Sequence, residues 1–257
     1  MNEGTAINRM DPGKRGIPAS VLKQIAVLTM LIDHVTAGLM DLGYWAAGNP
    51  VTPKGRILYR VLRGVGRIAF PIYCFLIVEG FFHTKNKWKY LLRLTLFGLL
   101  SEIPFDICLE KAYIYMGYQN VFFTLALGLL GIILYDTAVR GDYLYARPLR
   151  KLAGLLGMAA AAAAAWLMKT DYSWYGVLVI YFFFLFRESF TLKLVFTEVM
   201  LCLLNPLELV SLADFPLFLL YNGQRGPQKK YFYYIFYPAH LLLIAAARYV
   251  LYGIFVR

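Results

Sequence analysis

The chain has 257 residues, of which 60% are hydrophobic, 17% aromatic and only 16% charged, with a mean hydropathy of +0.58. A soluble domain carries about a quarter charged residues; this much apolar surface cannot be hidden in one soluble core, so the composition excludes a water-soluble globule and makes lipid the solvent. The net charge of +11 does not indicate nucleic acid, because Lys and Arg stand in short clusters between apolar runs, as positive-inside topology requires, and not in one stripe.

Residues 1–20 are polar and broken by Gly and Pro, which argues against a secretory leader. They are expected to form a cytoplasmic segment ahead of a single transmembrane helical domain over 21–257. A spanning helix needs about 20 apolar residues. The apolar runs predict about nine spans (eight to ten), near 21–42, 62–82, 89–109, 120–139, 150–168, 173–187, 191–205, 207–221 and 231–254. No period-two alternation appears, which argues against a barrel. The fold class expected is therefore all-α, a polytopic transmembrane helical bundle.

The first span places Asp33 and His34 near its middle. Ionisable groups inside a span are costly and usually mark a site. A carboxylate beside an imidazole can raise its basicity and select its tautomer, which suits a general base. Next, Arg56, Arg60, Arg63 and Arg67 recur at helical spacing and share one face. That face is either a lipid-headgroup face or an electropositive wall over a cavity. Arg67 and Glu79 bracket the second span, too far apart to pair with each other. Pro71 lies inside it and is read as a packing kink.

The third span carries Arg93 and ends in SEIPFD, where Pro104 is expected to stop the helix after Ser101 and Glu102. Asn120 and Thr124 open the fourth span and are spaced to bond across helices. The alanine run 159–165 suits close packing. Asp171 precedes the sixth span, either as a helix N-terminal acid or on the acceptor side, and Asp214 lies in the eighth. The loop YNGQRGP, with Asn222, Arg225, Lys229 and Lys230, is basic and turn-rich and suits phosphates. His240 follows Pro238 inside the last span, whereas His83 sits among lysines and reads as surface. Cys74, Cys108 and Cys202 have neither metal nor disulfide spacing. No metal, Walker, GxGxxG or GxSxG motif is found.

The segments LKQIAVLTMLIDHV, GRIAFPIYCFLIVEGFF, SEIPFD, YNG–RG and YIFYPAHL, in this order, resemble the TraX family, which is associated with N-terminal acetylation of conjugative pilin. The first span also resembles the opening of the integral membrane acyltransferases that modify surface glycans. In that superfamily an Arg stands where this chain has Lys23, and a His stands at His34. The resemblance implies an integral membrane acetyltransferase of the bacterial cytoplasmic membrane, with the N-terminus cytoplasmic. Acetyl-CoA would enter from the cytoplasm against Lys23, Arg93, Asn222, Arg225, Lys229 and Lys230. His34 would be the catalytic base, with Asp33 orienting it. Arg67, Glu79, Glu102, Asn120 and His240 would serve the oxyanion and acceptor side. The partners implied are acyl-CoA and a pilin, peptide or glycan acceptor. A proton-coupled exporter and a non-enzymatic pilin-biogenesis factor are the rival expectations.

Overall fold

A computed structural model describes residues 15–140, 147–227 and 230–255; Lys229 lies outside the described residues, as does the side chain of Lys230. The described chain is helical, with two isolated bridges and no extended sheet. Four helical stretches are long and apolar enough to cross a membrane: Ala19–Trp45, Pro53–His83, Val121–Val139 and Tyr231–Tyr252. The protein is a membrane protein on that ground. The third span expected from sequence carries too many charges at its start to match these four, and the sixth and seventh are too short alone, at 13 and 15 residues.

Helix α1 (Ala19–Val35) widens at its C-terminal end into a π-helical stretch, Thr36–Trp45. Such stretches are rare and concentrate at functional sites; His34 is the last residue but one before it. Helix α2 (Pro53–Arg67) starts on a Thr52 cap with Pro at its first position, where the missing N–H costs nothing. A break at Ile68 separates it from α3 (Ala69–His83). Pro71 is the third residue of α3, so its absent N–H is one that a helix start leaves unpaired anyway. Helix α4 (Lys87–Phe105) does not stop at Pro104. It runs through it and into a π-helical turn, Asp106–Glu110.

Helix α5 (Val121–Val139) lies against α6 (Arg147–Leu167). The buried positions of α6 are Gly154, Met158, Ala161 and Ala165, one narrow stripe of mostly small residues. Gly131 of α5 meets Met158 and Ala161 there. Small residues let two backbones approach where lipid gives helices no hydrophobic reason to pair. Helices α7 (Ser173–Leu185) and α8 (Phe190–Leu204) follow. The expected span at 207–221 is a 3-10 helix, Pro206–Asp214, followed by the short α9 (Phe215–Leu220). A 3-10 helix repeats every three residues, so side chains at i and i+3 eclipse. Glu208, Ser211 and Asp214 therefore share one face, and all three are fully buried. The last helix, α10 (Lys230–Tyr252), carries His240 and closes the bundle against α1 and α4. Near its end the buried Arg248 donates to the carbonyls of Ile107, Cys108, Ile254 and Phe255, tying α10 to the π turn after α4.

Candidate active site

His34 and His240 meet between α1 and α10. His34 Nδ1 lies 2.7 Å from His240 Nε2, with the two rings coplanar to 2°. His240 Nδ1 lies 2.8 Å from the carbonyl oxygen of Phe236. A carbonyl only accepts, so His240 Nδ1 carries the proton. In a neutral ring His240 Nε2 is then the acceptor, and His34 Nδ1 must donate to it. That leaves His34 Nε2 unprotonated. The Phe236 carbonyl is available because α10 holds it one turn before His240. Tyr237 packs edge-on against both rings, at 5.9 and 5.6 Å between centroids.

Asp33 does not touch this pair. Its carboxylate accepts from Arg63 at 2.5 Å and sits 3.9 Å from Arg67. His34 is bonded to His240 and Asp33 to Arg63, for a simple reason: consecutive residues on a helix point in different directions, so Asp33 and His34 face different neighbours. Gly66 makes the Asp33 contact possible, since any Cβ there would collide with the Asp33 side chain. The arginine face of α2 divides. Arg56 and Arg60 are exposed, while Arg63 and Arg67 turn inward onto Asp33 and line a cavity. Arg67 also donates to Glu208 at 3.0 Å and to the Tyr172 hydroxyl at 3.4 Å. Its Nε is buried with no hydrogen-bond partner among the described residues.

Two cavities flank the histidine pair. The outer one, about 510 Å³, lies where α1 ends and is lined by Asp33, His34, Arg63, Arg67, Asp171 and Glu208 among others. His34 lines it and His240 does not. Asp171, in the loop between α6 and α7, accepts from the Tyr118 hydroxyl at 2.6 Å. Burial raises its carboxyl above the ordinary range, against that hydrogen bond and the opposing pull of Arg67. The same loop holds Lys169, Tyr172 and Ser173 at positive φ, a backbone region costly for residues with side chains. Tyr172 is held there by stacking on Phe70 at 3.5 Å between centroids, inclined by 6°. Sequence reasoning left Asp171 between two roles; the structure puts its carboxylate on the outer cavity.

The inner cavity, about 490 Å³, opens where α1 begins and is lined by Lys23, Glu79, His83, Arg93, Tyr234 and Arg225 among others. Lys23 lies over the Tyr233 ring at 5.7 Å. Three of the donor-side candidates, Lys23, Arg93 and Arg225, thus come together although they are remote in sequence. Glu79 was expected on the acceptor side, but it faces this basic cavity, accepting from Tyr221 at 3.0 Å and pairing with Arg187 at 3.5 Å. His83 is exposed, as its sequence context suggests. It lines the same cavity and donates to the Glu79 carbonyl at 2.8 Å.

Three candidates serve other ends. Asn120 is fully buried and caps α5, accepting from the Phe122 amide at 3.0 Å; it also donates to the Gly98 carbonyl and to Glu102. Neither Asn120 nor Glu102 lines either of these two cavities; their hydrogen bond pins α4 to α5. Asn222 likewise lines neither cavity. It donates to the Gly16 carbonyl and accepts from Gln224, folding its loop against the start of α1. The carbonyls of Gln224 and Arg225 accept from the amides of Ala19 and Ser20, which a helix start would otherwise leave unpaired.

Sequence reasoning missed Glu208 and Tyr172 as members of the outer site, and had Arg63 only as part of the arginine face. Glu208 carried a signal, since Glu208, Ser211 and Asp214 stand three apart in an otherwise apolar run.

A family model described as TraX protein matches residues 19–248. The chain is 30% identical over 253 residues to the "Probable fimbrial assembly protein FimC, serogroup H1" of Dichelobacter nodosus, covering 88% of this chain and 94% of that relative. No solved structure gives a significant match.

Proposed function

This chain belongs to the TraX family, and from that premise we propose that it is a membrane acetyltransferase that moves the acetyl group of acetyl-CoA to an amine or hydroxyl acceptor. The acceptor class nearest to the family and to the fimbrial assembly relative is a pilin N-terminus. The protein lies in a bacterial cytoplasmic membrane as a polytopic helical bundle. Its N-terminus and inner cavity face the cytoplasm, and the outer cavity faces the other side.

The observation that carries this reading is the hydrogen-bond chain from the Phe236 carbonyl through His240 to His34. It leaves a lone pair on His34 Nε2, on a residue lining the outer cavity. A general base needs such an atom within reach of the acceptor proton. The inner cavity suits the donor: Lys23, Arg93 and Arg225 offer charge to phosphates, and tyrosines line its apolar depth.

The chemistry balances as follows. The acceptor nitrogen loses a proton to His34 Nε2 and attacks the thioester carbonyl. The new C–N bond forms and the C–S bond breaks. Coenzyme A leaves as its thiol, taking the proton from His34. The unpartnered Nε–H of Arg67 is the donor best suited to the developing oxyanion.

The test uses membranes from cells carrying or lacking the gene, supplied with acetyl-CoA radiolabelled in the acetyl group. Gene-dependent transfer of label to a membrane acceptor, with release of free coenzyme A, is the expected result. Label transfer undiminished in His34→Ala would end the mechanism. A proton-coupled exporter is the second reading, favoured by the buried carboxyls Glu208 and Asp214 and by Glu198, which accepts from Ser211 at 2.8 Å. Thermal stabilisation of the purified protein by acetyl-CoA separates the two.

A further inference from the structure

Acyl transfer needs the thioester carbonyl where donor and acceptor can both reach it. Among the described residues the inner and outer cavities share four lining residues, Met30, Tyr73, Val121 and Tyr237, so the cavities meet there. Two of the four carry a hydroxyl. That of Tyr73 lies 4.0 Å from the Met30 sulfur and donates to it. That of Tyr237 has no hydrogen-bond partner among the described residues, although the residue is only 3% exposed. The other phenols that line the outer cavity on the far side of His34 are engaged: Tyr59 donates to Asp41, Tyr118 donates to Asp171, and Tyr172 accepts from Arg67. A buried hydroxyl with no partner is costly. The partner that Tyr237 lacks within the protein must come from the cavity space it borders.

We propose that Tyr237 is a catalytic residue whose hydroxyl donates to the thioester carbonyl, as a second oxyanion donor beside Arg67. The inference rests on the acetyltransferase reading above. The Tyr237 ring is fixed by three edge-on neighbours, Phe122 at 5.0 Å, His240 at 5.6 Å and His34 at 5.9 Å between centroids. Tyr237 and His240 stand three apart on α10 and share a face, so one helix positions both this donor and the partner of the base. A donor held in advance where charge develops needs no reorganisation during the reaction, and it is worth most where water is excluded. As the acceptor nitrogen attacks, the carbonyl electron pair moves onto oxygen and the Tyr237 O–H bond to it strengthens. When the C–S bond breaks, the pair returns to the carbonyl. Tyr237 keeps its proton throughout; the acceptor's proton still passes to His34 and leaves on the thiol. A neutral phenol also adds this donor without placing another cation beside the histidine that must accept a proton.

The experiment compares wild type with Tyr237→Phe, which keeps the ring and removes only the hydroxyl. Label transfer from acetyl-CoA to the membrane acceptor is followed against donor concentration and pH. The variant's kcat should fall roughly 10²- to 10³-fold, the usual loss for one oxyanion donor. Its KM for acetyl-CoA should stay close to the wild-type value. The acid limb of its pH profile should not move, because the His34–His240 pair is untouched. In parallel, acetyl-CoA isotopically labelled at the thioester carbonyl is bound to the purified proteins without acceptor, and the carbonyl stretch is read by infrared difference spectroscopy. A hydrogen bond lowers that frequency, so it should stand lower on wild type than on Tyr237→Phe. Coenzyme A, which has no thioester carbonyl, should bind both proteins with equal affinity. Undiminished kcat overturns the proposal, as does one carbonyl frequency in both proteins. A displaced acid limb, or weaker coenzyme A binding by the variant, gives the hydroxyl a supporting role and overturns it too. Each of these outcomes leaves the acetyltransferase reading standing, whereas absence of gene-dependent transfer by wild type removes that reading and this role together.

Discussion

The inner and outer cavities are nearly equal in volume, about 490 and 510 Å³, yet they handle charge in opposite ways. The outer cavity is lined by five acidic residues, Asp33, Asp41, Glu110, Asp171 and Glu208, and by two arginines, with Arg63 bonded to Asp33 and Arg67 to Glu208. In the inner cavity three basic residues face one carboxylate, Glu79, which is itself engaged by Arg187 and Tyr221. Ion pairs that join different elements across the outer cavity hold its shape around His34. A cavity with surplus positive charge waits for an anion. The contrast suits a site where an anionic donor enters on one side and an uncharged nucleophile reacts on the other.

The sharpest break in that comparison is at the base. His34→Ala should lower the transfer rate by roughly 10²- to 10⁴-fold, the usual contribution of a general base, with the dissociation constant of coenzyme A unchanged by isothermal titration. Arg67→Ala tests whether the outer charges are structural as well as chemical. It strands Glu208, which is fully buried, and should cost about 3 kcal/mol of stability, toward the lower end for a broken buried pair, seen as a lower unfolding temperature. Arg225→Ala is the matched control on the inner side and should leave that temperature unchanged.

His240 acts through His34 and is a positioning residue. His240→Ala should slow transfer roughly 10- to 100-fold, the scale of one buried donor left unpaired, and should move the pH profile of kcat. His240→Gln offers an amide oxygen to His34 Nδ1 and should restore part of the rate; an equal loss in both variants would argue for a purely packing role. On the donor side, Lys23→Ala with Arg225→Ala should raise the KM for acetyl-CoA several-fold, leave kcat alone and flatten its salt dependence, because partly exposed charges are worth about 1 kcal/mol each or less. The smallest change is Asn120→Ala, which should cost about 1 kcal/mol of stability for a lost helix cap and leave KM and kcat as they are. A fall in kcat beyond that expected from unfolding would return Asn120 to the reacting site.

Much of this molecule was legible before any coordinates. His34 and His240 stood out because a histidine inside an apolar run needs an explanation, and Lys23, Arg93 and Arg225 because basic clusters mark one side of the membrane. The differences between expectation and structure share a cause. Asp33 and His34 are neighbours in the chain, but a helix turns consecutive side chains apart, and the partner each finds lies 30 or 206 residues away. Glu79 lines the inner cavity, a placement one span's sequence does not give, because it does not say which wall the span's end will face. Pro104 was read as a stop, yet the chain passes it and widens into a π turn. The run at 207–221 looked like another span because its apolar residues hide a three-residue period of buried polar groups.

By itself the sequence determined the solvent, the helical class, the family and the few buried ionisable residues worth attention, because those follow from composition and from local periodicity. Only the tertiary structure decided who bonds to whom. It joined His34 to His240, turned Asp33 toward Arg63, and brought Lys23, Arg93 and Arg225 to one cavity. Pairings of that kind depend on how helices cross, and crossing is set by packing between segments distant in the chain, which no single segment's pattern encodes.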